Sequence, residues 1–588
     1  MLFLMTFHAI FCYFNTMQKQ WLKKYPANIP ESIQYPHKTI SDFLSDTAER
    51  FPQKTAIIFF GKKINYKELH SLTIKFANAL VNMGVKKGDR VAIMLPNCPH
   101  EVIAYYSVLK IGAIVVQFNP LYTERETEYQ LNDSGSETII ALDTLYPNFK
   151  NIINKTRIKN IILCSVSDFL PFPKNFLYRL KEKKEMLKQV QHDRKKDTSS
   201  VTFLKLIKKS SSNPPSPPFG KGGLRGISPD DIALLQYTGG TTGIPKGAIL
   251  THRNLVANTI QCRHWFSKAE VGKETFLSVL PFFHIFGMTS SLNLPVHLAS
   301  SMILLPRFKP LDVLKAIERY RASIFIGVPA MFSAINGELR HENKYNLSSM
   351  KFCVSGAAPL PHDMAVRFET LTDVKVIEGY GLTEASPVTH CNPIYGERKF
   401  GSIGLPLPDT ECSIVDLITG AELQTGEIGE IAIRGPQIMK GYWKNEKETD
   451  MVLKNGWLFT GDIGRMDEDG FFYIVDRKKE MIISGGYNIY PREIEELLNK
   501  HPKVKESAVI GIPYKSIGDI PKAFIVLKDG ESADEDKIIN YCKANLTKYK
   551  VPKKVEFRKE LPKSLIGKVL KKVLKEEERS KKILDETR

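Results

Sequence analysis

Residues 237–247, with the sequence YTGGTTGIPKG, combine glycines, hydroxyl side chains and one lysine in a single short segment. Glycines permit a backbone with positive φ, so that successive N–H groups can approach a ligand closely. A nest of N–H groups of this kind binds anions, and the hydroxyls and the lysine add donors and a positive charge. We therefore predict a polyphosphate-binding loop. Its candidate residues are Thr238, Gly239, Gly240, Thr241, Thr242, Gly243 and Lys246.

This loop differs from the Walker A loop of nucleotide hydrolases. That pattern requires glycine immediately before the lysine and serine or threonine immediately after it, whereas Pro245 and Gly247 occupy those two places. The alternative interpretation of the segment is a glycine- and threonine-rich hairpin turn without a ligand. An apolar run at 232–235 precedes the loop, which predicts a strand that ends where the loop begins.

The segments that must position this loop alternate between amphipathic stretches with the period of a helix and short apolar runs typical of strands. Amphipathic stretches at 66–83 and 100–111 alternate with apolar runs at 56–60, 90–95, 113–118 and 137–141. Helix-period and strand-period segments in alternation predict an α/β fold with a largely parallel sheet. Phosphate-binding loops in such sheets lie beyond the ends of the strands, which is where the predicted loop falls.

The chain of 588 residues is too long for one hydrophobic core. We predict a large N-terminal domain at 17–475, made of layered α/β subdomains and a β-rich subdomain, and a small α+β C-terminal domain at 476–588. Residues 1–16 form an apolar N-terminal extension, interpreted as a misassigned start or, alternatively, a weak anchor. Residues 185–228 include the run NPPSPPFGKGGLRGI, which cannot support a helix or central strand, and we expect a disordered insert.

Net charge and cysteine spacing narrow the choice of partners and compartment. The formal charge of +19 raises nucleic acid or an anionic membrane surface as a partner. The basic residues are scattered and no RNA-binding motif is present, so we predict no nucleic-acid partner. The eight cysteines contain no C-x-x-C pair, which fits a reducing cytoplasm. We expect a cytoplasmic protein, and peripheral contact with the inner face of a membrane stays open.

The order of the motifs resembles that of the AMP-forming acyl- and aryl-adenylating enzymes. The 237–247 run is similar to the phosphate loop of that family, and further motifs follow in the family's order along most of the chain. The segment EGYGLTE at 378–384 looks like the family's adenine and metal segment. The resemblance implies that Tyr380 stacks on adenine, Thr383 contacts phosphate and Glu384 holds Mg²⁺. It places Glu378, Gly379 and Gly381 in the same nucleotide site.

Two more segments complete the nucleotide site that the resemblance implies. Gly356, Ala357 and Ala358 match the family's second adenine segment. Asp462 matches the aspartate that takes both ribose hydroxyls, and a carboxylate can accept hydrogen bonds from two neighbouring O–H groups. Arg477 matches the second ribose contact.

The C-terminal motifs carry weaker signals on their own. The resemblance assigns Asp476 as a hinge around which the small domain rotates, and Lys568 as the mobile catalytic lysine. It also implies that Gly485, Gly486 and Tyr487 border the channel for the coenzyme A thiol. Without the family, Lys568 is an ordinary surface lysine, and the glycine pair is a tight turn before a helix that begins at Pro491.

The segment PFFHIFG at 281–287 resembles the family's aromatic motif beside the substrate carboxylate. We expect His284 in the substrate pocket without an acid–base role, and Met288 along the acyl path. No acidic residue is near to pair with an amino-acid substrate. Gly381 stands where acetate-activating relatives carry a bulky indole, so an open pocket for medium or long aliphatic chains is expected. The motif wording looks most like bacterial long-chain fatty acid–CoA ligases.

The resemblance therefore implies a ligase that uses ATP, Mg²⁺ and coenzyme A to activate a fatty acid. The expected catalytic residues are Lys568, Glu384 and Thr238, and Thr238 and Glu384 are the expected metal contacts. The alternatives are an adenylating enzyme for an aryl or branched acid, a loader of an acyl carrier protein, a scaffold that binds ATP without turnover, and a basic RNA-binding module. The oligomeric state stays open, with a homodimer as one option.

Overall fold

The computed structural model describes residues 19–178, 200–213, 226–238, 245–341, 345–484, 487–514, 518–563 and 569–586. The strands of the large α/β part are β1 (Thr55–Phe59), β2 (Lys62–Asn65), β3 (Arg90–Met94), β4 (Ile114–Gln117), β5 (Thr138–Leu142), β6 (Asn160–Cys164), β7 (Ser200–Thr202), β8 (Ile232–Thr238), β9 (Lys246–Thr251), β10 (Thr275–Ser278), β11 (Ser301–Leu304), β12 (Ile324–Gly327), β13 (Phe352–Ser355), β14 (Val376–Gly381), β15 (Val388–Cys391) and β16 (Leu405–Pro406).

Helices separate these strands. They are α1 (Ile40–Arg50), α2 (Tyr66–Asn82), α3 (Pro99–Lys110), α4 (Glu124–Ser134), α5 (Phe203–Lys209), α6 (His252–Trp265), α7 (Ile285–Met288), α8 (Leu294–His297), α9 (Pro310–Tyr320), α10 (Pro329–His341) and α11 (His362–Thr372). Every residue of α3 is buried, because its neighbours cover it on all sides.

The strands form two sheets. The seven-stranded sheet has the order β7-β6-β5-β3-β4-β8-β9, and the nine-stranded sheet has the order β16-β15-β14-β13-β12-β10-β11-β1-β2. The inner pairs are parallel, whereas β9 runs antiparallel to β8 and β15 antiparallel to β14. The predicted α/β class and layered arrangement are confirmed, and the predicted polyphosphate loop falls between β8 and β9 in the sequence.

Part of the expected insert has regular structure. Residues 200–202 form β7, which pairs in parallel with β6, and α5 follows directly. Phe203 and Ile207 of this helix are buried in the main core. Their burial stabilises regular structure in a segment for which the sequence predicted disorder. The expectation of a disordered insert is therefore wrong for 200–209. The remaining parts at 185–199 and 214–225 lie outside the described residues.

An antiparallel β-rich subdomain follows the two sheets, as predicted. Its strands are β17 (Glu411–Val415), β18 (Gly429–Arg434), β19 (Leu453–Lys454), β20 (Trp457–Met466) and β21 (Phe472–Arg477), and helix α12 (Glu446–Val452) precedes β19. The strand order is β17-β18-β20-β19, with β21 on β20. Asp476 lies inside β21, so the strand crosses the predicted boundary at 475/476. That boundary stays a prediction.

The C-terminal part is a small α+β unit. Its elements are β22 (Ile482–Ser484), β23 (Tyr487–Ile489), α13 (Pro491–Asn499), β24 (Val504–Tyr514), β25 (Gly518–Leu527), α14 (Glu535–Asn545), β26 (Lys554–Phe557) and α15 (Lys571–Glu586). Helix α13 begins at Pro491 as predicted. Asp534 is the N-cap of α14, and its side chain accepts from the Lys537 N–H.

The cysteines and the helices of the described residues can be compared with the predicted compartment. The cysteines within the described ranges, at 98, 164, 262, 353, 391, 412 and 542, are free and buried. Among the helices that the structure describes, none combines the length and the apolar character needed to cross a bilayer.

Candidate active site

A cavity of ≈ 1930 Å³ lies where the ends of the two large sheets, the β-rich subdomain and the start of α15 meet. Its wall includes Thr238 at the end of β8, Thr383 and Glu384 after β14, and Asp462 in β20. Parallel strands of one sheet end at the same edge, so the loops that follow them converge. The fold thus brings together side chains that are more than two hundred residues apart in sequence.

The two ends of the predicted phosphate loop are fixed by strand pairing. Thr238 and Lys246 are cross-strand partners in the β8–β9 pair, and both line the cavity. The Lys246 ammonium forms an ion pair with the Glu448 carboxylate and lies 5.3 Å from the centre of the Tyr442 ring. The central loop residues Gly239, Gly240, Thr241, Thr242 and Gly243 lie outside the described residues.

Helix α4 contacts the chain on both sides of this loop. The Tyr129 hydroxyl donates to the Pro245 carbonyl at 3.2 Å, and the Asp133 carboxylate accepts from the Tyr237 hydroxyl. Tyr129 and Asp133 are four residues apart and therefore lie on the same helix face. Neither residue was predicted to contact the loop. Their i, i+4 spacing places them on one helix face, but nothing in the sequence indicates which part of the protein that face packs against.

The Glu384 carboxylate faces the same region as Lys246. Its Oε1 accepts from the Tyr442 hydroxyl at 2.7 Å, and the backbone oxygen of Glu384 accepts from the Met439 N–H at 2.8 Å. Tyr442 thus contacts both the glutamate and the lysine. The predicted phosphate and metal residues are therefore neighbours around one tyrosine ring.

Tyr380, Asp462 and Arg477 form a connected group on the cavity wall. The Tyr380 hydroxyl donates to Asp462 Oδ2 at 2.6 Å, and Arg477 Nε lies 3.3 Å from Asp462 Oδ1. Burial, and then the nearby Asp462 charge, raise the pKa of Tyr380 well above its ordinary value. The phenol therefore keeps its proton and remains a donor at neutral pH.

The expected adenine segments are brought to the cavity only in part. Gly356, Ala357, Gly379 and Gly381 line it. A Cβ on Gly356 would lie 2.9 Å from the Phe286 ring, so the glycine is needed for this close packing.

Glu378 and Ala358 do not line the cavity, contrary to our expectation. The Glu378 carboxylate instead accepts from the Leu360 N–H at 3.2 Å, and burial raises its pKa to about 8. Its side chain points into the core because β14 alternates its faces.

In the substrate segment, His284 agrees with the prediction and Met288 does not. His284 lines the cavity, and burial lowers its pKa to about 4, so the ring is neutral, as a residue without an acid–base role should be. Met288 is fully buried and is not part of the cavity wall, because it lies on the inner face of α7. A Cβ on Gly381 would lie 2.1 Å from the Pro387 carbonyl oxygen. Backbone contact therefore requires this glycine, whatever the pocket holds.

Among the predicted C-terminal site residues Lys568, Gly485, Gly486 and Tyr487, only Tyr487 lies within the described residues, and it is not on the wall of the large cavity. Lys568, Gly485 and Gly486 lie outside the described residues. Val569 and Leu570, directly after Lys568, line the cavity. Tyr487 lies elsewhere, on a small surface cavity, with its ring stacked on Tyr549 at 4.6 Å between centroids.

The predicted hinge is tied to the small domain by hydrogen bonds. Asp476 Oδ2 accepts from the Arg492 N–H at 2.8 Å, and burial raises the Asp476 pKa to about 6. Close by, the Lys571 ammonium lies 2.9 Å from Glu480 and 2.8 Å from Glu495. All three of these ionic side chains are mostly buried.

The fold and this cavity define an α/β enzyme with a composite site for an anionic ligand, built from two large sheets, a β-rich subdomain and a small C-terminal domain. Residues 44–443 match the family described as AMP-binding enzyme, and residues 493–568 match its C-terminal domain. The chain belongs to this family. The resemblance inferred from the motifs is thereby confirmed.

Named relatives cover almost the whole chain. The chain is 48% identical over 564 residues to a long-chain-fatty-acid–CoA ligase of Bacillus subtilis (strain 168), covering 95% of this chain and 98% of the relative. It is 38% identical over 579 residues to a protein of the same name from Escherichia coli O157:H7, covering 96% and 99%. Among solved structures, ATP-bound MatB from Rhodopseudomonas palustris superimposes with a TM-score of 0.79 at 29% identity, covering 91% and 98%.

Proposed function

We propose that this chain is a long-chain fatty acid–CoA ligase that works in two steps. In the first, a carboxylate oxygen of the fatty acid attacks the α-phosphorus of ATP, giving acyl-AMP and releasing diphosphate. In the second, the sulfur of coenzyme A attacks the acyl carbon and AMP leaves, while the thiol proton passes to solvent. The observation that carries this proposal is the convergence of Thr238, Glu384 and Asp462 on one cavity.

ATP would be held at both ends. Asp462 accepts hydrogen bonds from the ribose hydroxyls, and Arg477 orients the carboxylate. Lys246 exchanges its Glu448 partner for phosphate oxygens, and Thr238 adds a hydroxyl donor. Tyr380 presents its ring to the base. MatB from Rhodopseudomonas palustris, a protein of similar fold solved with ATP bound, supports ATP as the ligand.

The carboxylate and hydroxyl near the loop fit a magnesium ion. Within the described ranges, no group of three or more acidic, histidine or cysteine side chains could enclose a metal. Mg²⁺ bound with nucleotides needs no such cage, since it keeps several waters and takes phosphate oxygens. Glu384, with Thr238, would hold it there and neutralise charge on the leaving diphosphate.

Lys568 is proposed to stabilise the charge that develops on the substrate carboxylate and the α-phosphate. The next two residues line the cavity, which supports a position close to the reacting atoms. Coenzyme A would approach beside Gly485, Gly486 and Tyr487. Asp476 is proposed as the residue around which the small domain turns between the two steps.

The acyl chain is proposed to extend past His284 into the apolar part of the cavity. Phe283, Phe286, Ile326 and Val354 line that part. Each buried methylene contributes roughly 0.8 kcal/mol, so long chains should bind more tightly than short ones. The relatives named as long-chain ligases support this substrate class.

The test is a panel assay of AMP release with coenzyme A and Mg²⁺. Palmitate should give AMP and palmitoyl-CoA, whereas benzoate and branched short acids should give little. Release of ADP, or a preference for aryl acids, would contradict the proposal. Lys568→Ala should abolish adenylation but retain thioester formation from supplied palmitoyl-AMP. Equal loss of both steps would reject the role of Lys568.

We also propose peripheral contact with an anionic membrane. Phe172, Phe176 and Leu177 are exposed by 82%, 56% and 60%, and the net charge is +19. The double change Phe172→Ser and Phe176→Ser should reduce cosedimentation with phosphatidylglycerol vesicles. Leu311→Ser, an exposed apolar residue on α9, is the control. Equal sedimentation of all three proteins would contradict this contact.

A further inference from the structure

Two glutamines lie side by side on the wall of the cavity. The pairing of Val115 with Leu234 and of Val116 with Leu235 places Gln117 of β4 next to Gln236 of β8. Both side chains line the cavity although their residues are only 2% and 5% exposed. A pair of amides at the ends of neighbouring strands is unexpected in a pocket for a hydrocarbon chain.

The amide nitrogens of both glutamines are fixed. Gln236 Nε2 donates to the Phe283 carbonyl at 2.9 Å, and Gln117 Nε2 donates to Glu101 Oε1 at 2.7 Å. These bonds determine the orientation of each amide. Both Oε1 atoms are buried and have no hydrogen-bond partner in the part of the chain that the structure describes.

A buried acceptor without a donor is unfavourable, and native proteins pair nearly all such groups. Two adjacent acceptors that line a cavity therefore indicate a ligand group that donates hydrogen bonds. Glu101, which supports Gln117 from behind, is fully buried, and burial raises its pKa to about 8. It is mostly protonated at neutral pH, which favours an uncharged donor over a cation.

The position of the pair connects it to the proposed acyl path. Gln236 is bonded to Phe283, the residue before His284, and both of these residues line the cavity. Gln236 also precedes Tyr237 and Thr238, where the phosphate loop begins. The glutamines thus lie between the proposed phosphate site and the aromatic segment, within reach of a bound chain.

We propose that Gln117 and Gln236 form a polar subsite that accepts a hydrogen bond from a hydroxyl group on the acyl chain, so that hydroxylated long-chain fatty acids are substrates. This inference rests on the proposed function, because it assumes that the cavity binds a fatty acid. It adds a specificity that the apolar residues alone do not provide. A pocket that pairs a substrate hydroxyl discriminates against groups that leave its acceptors unpaired.

The experiment compares kcat/KM for palmitate with that for a series of monohydroxypalmitates, one hydroxyl position at a time. In the wild-type enzyme, at least one position should give a kcat/KM equal to or above that of palmitate. Gln236→Leu should lower kcat/KM for that isomer roughly tenfold while changing that for palmitate less than twofold. Asn336→Leu is the matched control, since this buried amide also has one bonded nitrogen and an unpaired oxygen but lies outside the cavity wall.

The proposal would be overturned, and the glutamines left as acceptors for ordered water only, if every isomer gave a kcat/KM below that of palmitate. It would also be overturned if Gln236→Leu lowered kcat/KM equally for palmitate and for the hydroxy acids. An enzyme that releases no AMP with palmitate would instead refute the proposed function. Gln117→Met provides a second variant if Gln236→Leu does not fold. Thermal stabilisation of the wild-type protein by hydroxylated and plain acyl-sulfamoyl adenosines gives a readout without turnover, in which the hydroxylated compound should stabilise more.

Discussion

Asp462 and Arg477 lie directly opposite each other in the antiparallel pair β20–β21, with Arg477 Nε 3.3 Å from Asp462 Oδ1. Cross-strand neighbours on one face of a sheet point the same way, so both side chains face the cavity. The hydroxyl of Tyr380 donates a hydrogen bond to the other carboxylate oxygen, Asp462 Oδ2, at 2.6 Å. A carboxylate held from two sides in this way needs little rearrangement to receive a pair of ribose hydroxyls.

The first prediction concerns that carboxylate. Asp462→Asn keeps the size of the side chain but removes its charge and one acceptor. We expect the KM for ATP to rise roughly ten- to hundredfold, since hydrogen bonds to charged groups are worth about 1.5–3 kcal/mol, while the KM for palmitate changes less than threefold. Diphosphate exchange at varied ATP measures this. Asp450→Asn, an exposed aspartate on α12, is the control, and a similar rise in that variant would contradict the assignment.

The second prediction separates the charge of Lys246 from its ion pair with Glu448. Lys246→Met should lower kcat/KM for ATP about ten- to hundredfold, because the phosphates lose a partly buried cation. Glu448→Gln removes the partner but keeps the cation, and should leave the KM for ATP within about threefold. Steady-state kinetics at saturating palmitate distinguish the two. Equal loss in both variants would mean that the ion pair is structural.

The third prediction tests whether α4 positions the phosphate loop. Asp133→Ala and Tyr129→Phe each remove one side-chain hydrogen bond beside the loop. We expect the KM for ATP to rise about fivefold in each, with kcat for thioester formation from supplied acyl-AMP unchanged. Asn132→Ala, which removes an exposed side chain of the same helix that bonds the Lys155 carbonyl rather than the loop, should behave like the wild type. A loss of thioester formation as large as the loss of adenylation would show a general effect on stability instead.

The fourth prediction concerns stability against pH. Burial raises the pKa of Glu378 from 4.5 to about 8. Below pH 4.5 both the folded and unfolded states hold the proton. As the pH rises toward 8, only the unfolded state loses it, so unfolding becomes easier by up to about 1.4 kcal/mol per pH unit.

Glu378→Gln should therefore flatten the fall in melting temperature between pH 6 and 8.5. Burial also raises the pKa of Glu101. The Glu378→Gln variant should therefore keep part of the decrease in melting temperature with rising pH. Glu468→Gln, an exposed glutamate, is the control. An identical slope in the wild type and Glu378→Gln would disprove the buried neutral carboxyl.

The layered α/β fold, the β-rich subdomain and the small C-terminal unit could be predicted because their signals are local. Apolar runs of strand length and amphipathic stretches identify layers without knowledge of contacts. The motif order then indicated the cavity, and Thr238, Lys246, Glu384 and Asp462 do meet there. The loop centre, Lys568 and the glycine pair at 485–486 stay predictions.

The predictions that differ from the structure concern residues whose positions depend on tertiary contacts, which the sequence does not show. Residues 200–209 were assigned to an insert from their neighbours' composition, whereas burial of Phe203 and Ile207 orders them. Glu378 and Met288 were assigned by proximity to motif residues, but strand alternation and the buried face of α7 turn them into the core. The partners of Tyr129, Asp133, Gln117 and Gln236 depend on which elements pack together, so no local pattern could identify them.

The buried group of Lys571, Glu480 and Glu495 has a mechanical consequence. All three residues follow position 476, and Lys571 comes three residues after Lys568. The start of the last helix is therefore fastened to the chain just beyond the strand that carries Asp476. A turn about that strand would therefore carry the start of the last helix along with the residues just after Asp476, and weakening the Lys571 ion pairs would uncouple these two segments.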